Sequence, residues 1–356
     1  MTTQASQPGG ERPNLFGLDR RGLAEVLERY ACPAFHAGQI YRWLYARRLL
    51  DVRSWTDLPA ALRERLERDT VAAAGTLSDR TGAADGTVKY RVDLPAGDRV
   101  ECVRMVQGSR TTLCISSQVG CALDCDFCLT GKMGFRRHLT PGEIVGQVAL
   151  MIDDGALHGE RFNVVFMGMG EPLHNYDGVM AAFRLLTDAG GFGLSRRRVT
   201  ISTAGLAREI ERLAAESVRP RLAVSLNATT DELRDRLMPV NRRYGLERLL
   251  EACRTFARET GERFTFEYVL LQGVNDTEDD VRRLAALLRG VPAKVNLIPF
   301  NPVAGWLAYA PPPRDAVLGF RDRLLGLGVA ASIRWSRGSE ARAACGQLAL
   351  LPGGPS

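Results

Sequence analysis

Residues 111–135 read TTLCISSQVGCALDCDFCLTGKMGF. The stretch opens with an apolar, partly β-branched run, TTLCIS (111–116), and ends in a loop that holds Cys121, Cys125 and Cys128. In parallel α/β architectures the reacting groups collect at the carboxyl ends of the strands. A strand feeding three close cysteines therefore bears on fold and site together. A closed zinc site takes four protein ligands. The C-x3-C-x2-C spacing supplies three thiolates, which suits an iron–sulfur cluster with one iron left for a reacting ligand. His138, ten residues beyond Cys128, keeps a zinc reading open.

Downstream the same rhythm repeats. Candidate strands are FNVVFMG (162–168), RVTIST (198–203), RLAVSL (221–226), FTFEYVLL (264–271), KVNLIPF (294–300) and VAASIRW (329–335). Amphipathic helices separate them, among them LERLLEACRTFARE and EDDVRRLAALLR. In TPGEIVGQVALMI, Thr140 is the expected N-cap, Pro141 the first helical residue and Glu143 the closing member of a capping box. Strands alternating with helices mean βαβ units, right-handed crossovers and a parallel sheet. Six such units predict an α/β fold, a partial (β/α)6 TIM-like barrel. Each strand leads into small or polar residues: the cysteine loop, GMGEP (168–172), Ser202-Thr203, Ser225-Leu226-Asn227, GVND (273–276), PFNP (299–302), and RGSEARAACGQL with Cys345. One rim of the barrel is the expected site.

Upstream, residues 14–75 read as a helical domain: FGLDRRGLAEVLERYA after an Asp19 cap, AGQIYRWLYARRL, and TDLPAALRERLERD after a Thr56 or Asp57 cap. Tyr41, Trp43 and Tyr45 mixed with Arg42, Arg47 and Arg48 could stack bases and meet phosphates, or could be a packing face. Residues 76–106 read as a β-hairpin linker around Pro-Ala-Gly-Asp, 107–340 as the core, and 341–356 as a C-terminal segment. Residues 1–13 read as a polar, disordered tail.

The 356 residues carry a net charge of +6, and the only lysines are Lys89, Lys132 and Lys294, so the basic character is arginine's. A positive excess fits a polyanionic partner such as nucleic acid, and fits solvated helix faces equally well. A hydrophobic fraction of 45% and a charged fraction of 25% are those of a globular chain. No apolar run reaches the roughly 18 residues of a membrane span, and the first residues lack a signal-peptide core. Eight cysteines in a long chain without a signal suggest metal or redox chemistry in a reducing cytoplasm.

C-x3-C-x2-C after the first strand and GMGEP after the second resemble the radical S-adenosylmethionine (SAM) superfamily. SSQVGCALDCDFCLTGKMGF, NVVFMGMGEPL, GFGLSRRRVTISTAG, NLIPFNP and ACGQL, in that order over residues 15 to 350, more narrowly resemble the rRNA adenine carbon-2 methyltransferase (RlmN) family. The resemblance implies a radical SAM type of partial barrel and a 4Fe–4S cluster on Cys121, Cys125 and Cys128, its open iron chelated by SAM. SAM would lie on Gly170, Glu171, Ser202, Ser225, Leu226, Asn227 and Asn301, with two molecules used per turnover. It further implies Cys345 as methyl carrier, Cys114 as the second catalytic cysteine and Glu101 as general base. Implied partners are 23S rRNA, some tRNAs and a flavodoxin-type electron donor, for a monomeric cytoplasmic enzyme with an RNA-binding N-terminal domain. Members often carry His where this chain has Asn227, and RGSE (337–340) replaces a more acidic family stretch. The sister activity at adenine carbon-8 is the nearest rival, and GEPL rather than GEAL favours carbon-2. A non-enzymatic zinc protein that binds RNA is a further rival.

Read without the family, Cys114 and Cys345 would be core cysteines and Glu101 a solvated strand residue. Cys32, Cys102 and Cys253 match no family role and read as core. His36, His138, His158 and His174 read as surface or loop residues.

Overall fold

The computed structural model describes residues 12–303 and 305–350. Residues 1–11 of the expected tail and residues 351–356 of the C-terminal segment lie outside the described residues. The N-terminal domain holds α1 (Arg20–Glu28), α2 (Phe35–Tyr41) and α3 (Ala60–Asp69). Asp19 caps α1 as expected, its carboxylate accepting from the Gly22 N–H at 2.8 Å. Neither Thr56 nor Asp57 caps α3; Pro59 stands at that position and contributes no side-chain bond. Asp57 is used instead by the Trp43 indole, whose Nε1 donates to Oδ1 at 2.5 Å.

A π-helical turn, Arg42–Ala46, continues α2 and widens it by one residue per turn. It drives Tyr41, Trp43 and Tyr45 into the core, at 1%, 5% and 0% exposure. The Tyr45 hydroxyl accepts from the Gly17 N–H and donates to the Leu18 carbonyl. Arg20 and Arg47 lie over the Tyr41 and Trp43 rings. These aromatics are a packing face and are not available to stack bases. His36, expected at the surface, is buried on α2 and bonds Gln39; His138, His158 and His174 are exposed.

Next in the chain come β1 (Thr76–Gly82), β2 (Val88–Asp93) and β3 (Arg99–Gln107). β1 pairs antiparallel with β2, β2 with β3, and β3 with β4 (Arg110–Cys114). The expected hairpin around Pro95-Ala96-Gly97-Asp98 forms as β2–β3, but β1 adds a third strand and all three are continuous with the core sheet rather than a linker. A small ribbon, β5 (Gln118–Gly120) with β6 (Phe135–His138), brackets the cysteine loop and its short helix α4 (Leu129–Lys132).

The core then alternates: α5 (Pro141–Asp154), β7 (Phe162–Phe166), α6 (Tyr176–Thr187), β8 (Val199–Thr203), α7 (Ala207–Ala214), β9 (Arg221–Ser225), α8 (Asp231–Leu237), α9 (Leu246–Thr260), β10 (Phe264–Leu270), α10 (Glu278–Leu287), β11 (Ala293–Pro299), α11 (Arg314–Gly326) and β12 (Ala331–Ile333). Strands β4, β7, β8, β9, β10, β11 and β12 are neighbours in that order and parallel, giving six crossovers. The expected partial (β/α)6 barrel forms. The capping box on α5 forms too: the Glu143 N–H donates to Thr140 Oγ1, and the Thr140 N–H to Glu143 Oε2. The N-terminal domain docks on α5, where Gly142 and Gly146 let backbone meet backbone. A Cβ on Gly142 would stand 2.4 Å from the Phe16 carbonyl oxygen, and one on Gly146 2.2 Å from that of Ala74.

Candidate active site

The cysteine loop is wound tightly enough to need glycine at its entrance. Gly120 has φ +74°, and a Cβ there would fall on the Gly134 carbonyl oxygen. Lys132 ties down the loop's acidic residues, donating to Asp124 and Asp126, and the Tyr309 hydroxyl donates to Asp126. The three thiols face one another electrostatically. Burial pushes Cys121 up to about 12 and Cys125 well above its ordinary value, so metal binding is what would make them thiolates. Backbone N–H groups of Leu123 approach the Cys121 sulfur, and those of Thr130 and Gly131 the Cys128 sulfur. Such donors stabilise anionic sulfur, and the set fits a cluster with three protein ligands. Among the described residues, no three His, Cys, Asp or Glu side chains converge on a single-ion position. His138 points elsewhere: its Nδ1 lies 3.0 Å from Gln118 Nε2, and its ring packs edge-on to His174.

The turn after β7 folds back on the end of β4. A Cβ on Gly168 would meet the Ile115 carbonyl and Ser116 Oγ at 2.7 Å, and one on Gly170, φ +99°, the Gln118 side chain at 2.5 Å. Glu171 is 3% exposed. One carboxylate oxygen accepts from the Leu173 N–H at 2.9 Å and the other from the Ala204 N–H at 2.7 Å. Burial raises it to about 7. Ser202 and Ser225 are half-buried near the carboxyl ends of β8 and β9, and Leu226 is buried one residue on. Asn227 takes a left-handed φ of +57°, a conformation Asn tolerates better than most residues. Its Oδ1 accepts from the Val269 N–H at 2.8 Å, and its carbonyl accepts from Asn275 Nδ2 at 2.8 Å. The side-chain oxygen of Asn227 is therefore committed to the barrel wall.

The C-terminal segment closes this rim. The Gly346 carbonyl accepts from the Leu129 N–H at 2.8 Å, and the Leu348 carbonyl from Thr130 Oγ1. Asn301 is buried and donates to the Cys345 carbonyl at 3.1 Å. Glu101 is no solvated strand residue: it is 1% exposed. It accepts from the Ala349 N–H at 3.0 Å and pairs with Lys89 at 3.2 Å, while burial pushes its carboxyl above the ordinary value.

Cys114 and Cys345, 231 residues apart, line one cavity of about 1210 Å³ inside the barrel. Cys114 is 5% exposed, and burial, with Cys345 beside it, raises it to about 12. Cys345 also faces Cys128. Cys102 and Cys253 are core residues, and Cys32 is half-buried.

Sequence reasoning missed three residues here. Arg334 follows β12 and faces Cys345, Glu267 and Cys114, which hold its guanidinium above the ordinary value. Glu267, buried on β10, accepts from Asn296. Arg234 is fully buried beside Cys125. The sequence signal for Glu267 and for Arg334 was a charge inside an apolar candidate strand; Arg234 gave none.

Comparison with known proteins agrees with this arrangement. A radical SAM superfamily model matches residues 115–285, and a ribosomal RNA large subunit methyltransferase N-terminal domain model matches residues 13–71. The chain is 48% identical to a dual-specificity RNA methyltransferase RlmN of Anaeromyxobacter dehalogenans, covering 97% of this chain and 94% of that one. It is also 48% identical to a probable RlmN of Moorella thermoacetica, covering 95% and 97%. A crystal structure of a radical SAM methyltransferase from Sphaerobacter thermophilus matches with a TM-score of 0.90 at 41% identity, over 94% of this chain and 99% of that one. The chain belongs to the RlmN family of radical SAM methyltransferases.

Proposed function

We propose that the chain methylates carbon-2 of an adenine in 23S rRNA, and in some tRNAs, through a methylated Cys345 and a transient protein–RNA adduct. The observation that carries this is the cavity shared by Cys114 and Cys345 under a C-terminal segment clamped to the cysteine loop. Adenine carbon-2 is electron-poor and has no acidic proton, so direct methyl transfer has no nucleophile to use. Cys121, Cys125 and Cys128 would hold the cluster, and Gly170, Glu171, Ser202, Ser225, Leu226, Asn227 and Asn301 would line the SAM site. Glu171 and Asn227 would act by shaping that site, because their carboxylate and amide oxygens already bind backbone N–H groups.

When bound, the cluster and SAM supply the methyl group and the radical chemistry. The remaining steps fall to side chains. The Cys345 thiolate accepts the methyl group, and the S-methyl carbon, after loss of one hydrogen, bonds to carbon-2. Glu101 takes the carbon-2 proton, its burial suiting a base poised to hold one, and the unpaired electron left on the ring would pass back to the bound cluster, which leaves a closed-shell adduct on Cys345. The Cys114 thiolate then attacks the Cys345 sulfur. The new S–S bond expels the methylene carbon, which picks up a proton and leaves as the methyl group. Two SAM molecules are used per turnover, a flavodoxin-type protein supplies the electron, and the enzyme works as a cytoplasmic monomer. No helix among the described residues is long and apolar enough to cross a membrane.

Cys114→Ala tests the assignment. Resolution fails in that variant, so iron-loaded protein incubated with an rRNA fragment and SAM retains RNA covalently on Cys345, seen as an RNase-sensitive mass shift. Methylated RNA released free from this variant would remove Cys114 from the mechanism.

A further inference from the structure

The cavity that holds Cys114 and Cys345 runs down the barrel and opens at the end opposite the cysteine loop. Its lining there comes from the amino ends of the strands. Arg110 begins β4 and Arg221 begins β9; Arg197 lies just before β8, Arg263 just before β10, and Lys294 near the start of β11. All five are exposed. Among the described residues, none of the five has a carboxylate within 4 Å, whereas Arg196 beside them is neutralised by Glu262 at 2.7 Å. The other acids of the cavity are committed: Asp85 to the Thr87 and Gly338 N–H groups, and Glu267 to Asn296 deeper in. Five unneutralised cations around a concave, low-dielectric mouth focus a positive field into it. Nothing in the methyl-transfer chemistry calls for that field at this end.

The other end of the barrel is occupied. The C-terminal segment is bonded to Leu129, Thr130, Asn301 and Glu101 across it, and RNA must approach there to meet Cys345. Cys114, at 5% exposure, lies too deep for another protein's active-site cysteine to reach. A space of about 1210 Å³ accepts a small molecule and not a macromolecule.

We propose that this basic mouth is the entrance for a small anionic thiol, one carrying carboxylate or sulfonate groups, that reduces the Cys114–Cys345 disulfide left by each turnover. The inference rests on the catalytic cycle proposed above. The reductant's thiolate attacks one sulfur of the disulfide, forming a mixed disulfide and releasing the other cysteine as a thiolate. A second reductant thiolate attacks the reductant's sulfur in the mixed disulfide and frees the second cysteine. Two electrons pass to the enzyme, the two cysteines regain the two thiol protons, and the reductant leaves as its own disulfide.

The test uses full-length, iron-loaded protein after one turnover on an rRNA fragment without reductant. Disulfide loss is followed by mass spectrometry with two thiols of equal reach, anionic 2-mercaptoethanesulfonate and neutral 2-mercaptoethanol. Each rate is normalised to that on a small model disulfide. The anionic thiol should be favoured about tenfold at low ionic strength, and the preference should vanish in about 1 M salt. It should also vanish in the triple variant Arg221→Glu, Arg263→Glu, Lys294→Glu, with the neutral thiol unaffected. Equal normalised rates for the two thiols in the wild type, or an anionic preference that survives charge reversal, would overturn the entrance while leaving the catalytic cycle intact. Suppression of anionic reduction by fresh RNA, with neutral reduction unchanged, would instead make the mouth an RNA contact and also overturn it. If no disulfide forms after turnover, the cycle itself fails and the inference with it.

Discussion

Arg234 is the most exacting place to perturb this structure. It is 0% exposed and has no carboxylate within 4 Å among the described residues. Its guanidinium donates to the carbonyls of Ala204 (2.7 Å), Ser225 (3.1 Å) and Leu226 (3.0 Å) and to Asn241 Oδ1 (2.9 Å). It thereby staples the end of β9 to the loop after β8, the two segments expected to cradle SAM, while Cys125 and nearby acids face its charge. Burial pushes it down to about 10 against the opposing pull of those groups, so it stays charged at neutral pH. Arg234→Met strands the Ala204 and Ser225 carbonyls at about 1–3 kcal/mol each, while that of Leu226 keeps the Ala228 N–H; the loss is offset in part because a buried charge no longer has to be desolvated. The net loss is about 3 kcal/mol. Arg234→Lys keeps the charge but cannot reach all four acceptors with one ammonium, so it should lose about half as much. Urea unfolding under anaerobic conditions measures both. Iron retained after reconstitution should fall in the order wild type, Lys, Met, because the cation beside Cys125 offsets the charge of bound thiolates. A Met variant within 1 kcal/mol of wild type and with full iron content would refute the reasoning.

Two further outcomes are expected. Folded Glu171 holds its proton up to about 7, while the unfolded chain releases it near 4.5, so rising pH between those values costs wild-type stability about 3 kcal/mol; measured by urea unfolding, the stability of wild type relative to Glu171→Gln should be constant below 4.5 and fall by that amount by pH 8, and a pH-independent difference would count against the assignment. Gly146→Ala puts a methyl group 2.2 Å from the Ala74 carbonyl oxygen and should force α5 away from the N-terminal domain at about 1–3 kcal/mol, seen as a thermal midpoint several degrees lower and faster proteolysis near residue 74; an unchanged midpoint would mean that the two backbones do not pack this closely.

Local signals carried far in this chain. The seven parallel strands were legible because each is a short apolar run between turn residues, and the start of α5 because Thr140, Pro141 and Glu143 fall within four consecutive positions at capping-box spacing. β1 was illegible for a physical reason: in TLSDRTG every residue but one is exposed, so no face is apolar and no alternation appears. The β5–β6 ribbon is three residues against four, too short for a period to register. The face of Tyr41, Trp43 and Tyr45 looked equally ready to stack bases, because sequence shows composition and not which side a π-helical turn buries. Cysteine spacing revealed the loop chemistry. The burial of Glu101, the meeting of Cys114 with Cys345 and the seat of Arg234 arise from contacts between distant segments, and nothing near those residues in sequence announces them.

The central claim is the position of the methyl group. Purified protein, reconstituted anaerobically with iron and sulfide and supplied with SAM and an electron donor, is incubated with a 23S rRNA fragment, and the digested nucleosides are resolved by mass spectrometry against authentic standards. The account predicts 2-methyladenosine, formed only when Cys114, Cys345 and the three loop cysteines are intact. Finding 8-methyladenosine alone, or 2-methyladenosine from protein lacking Cys345, would contradict it.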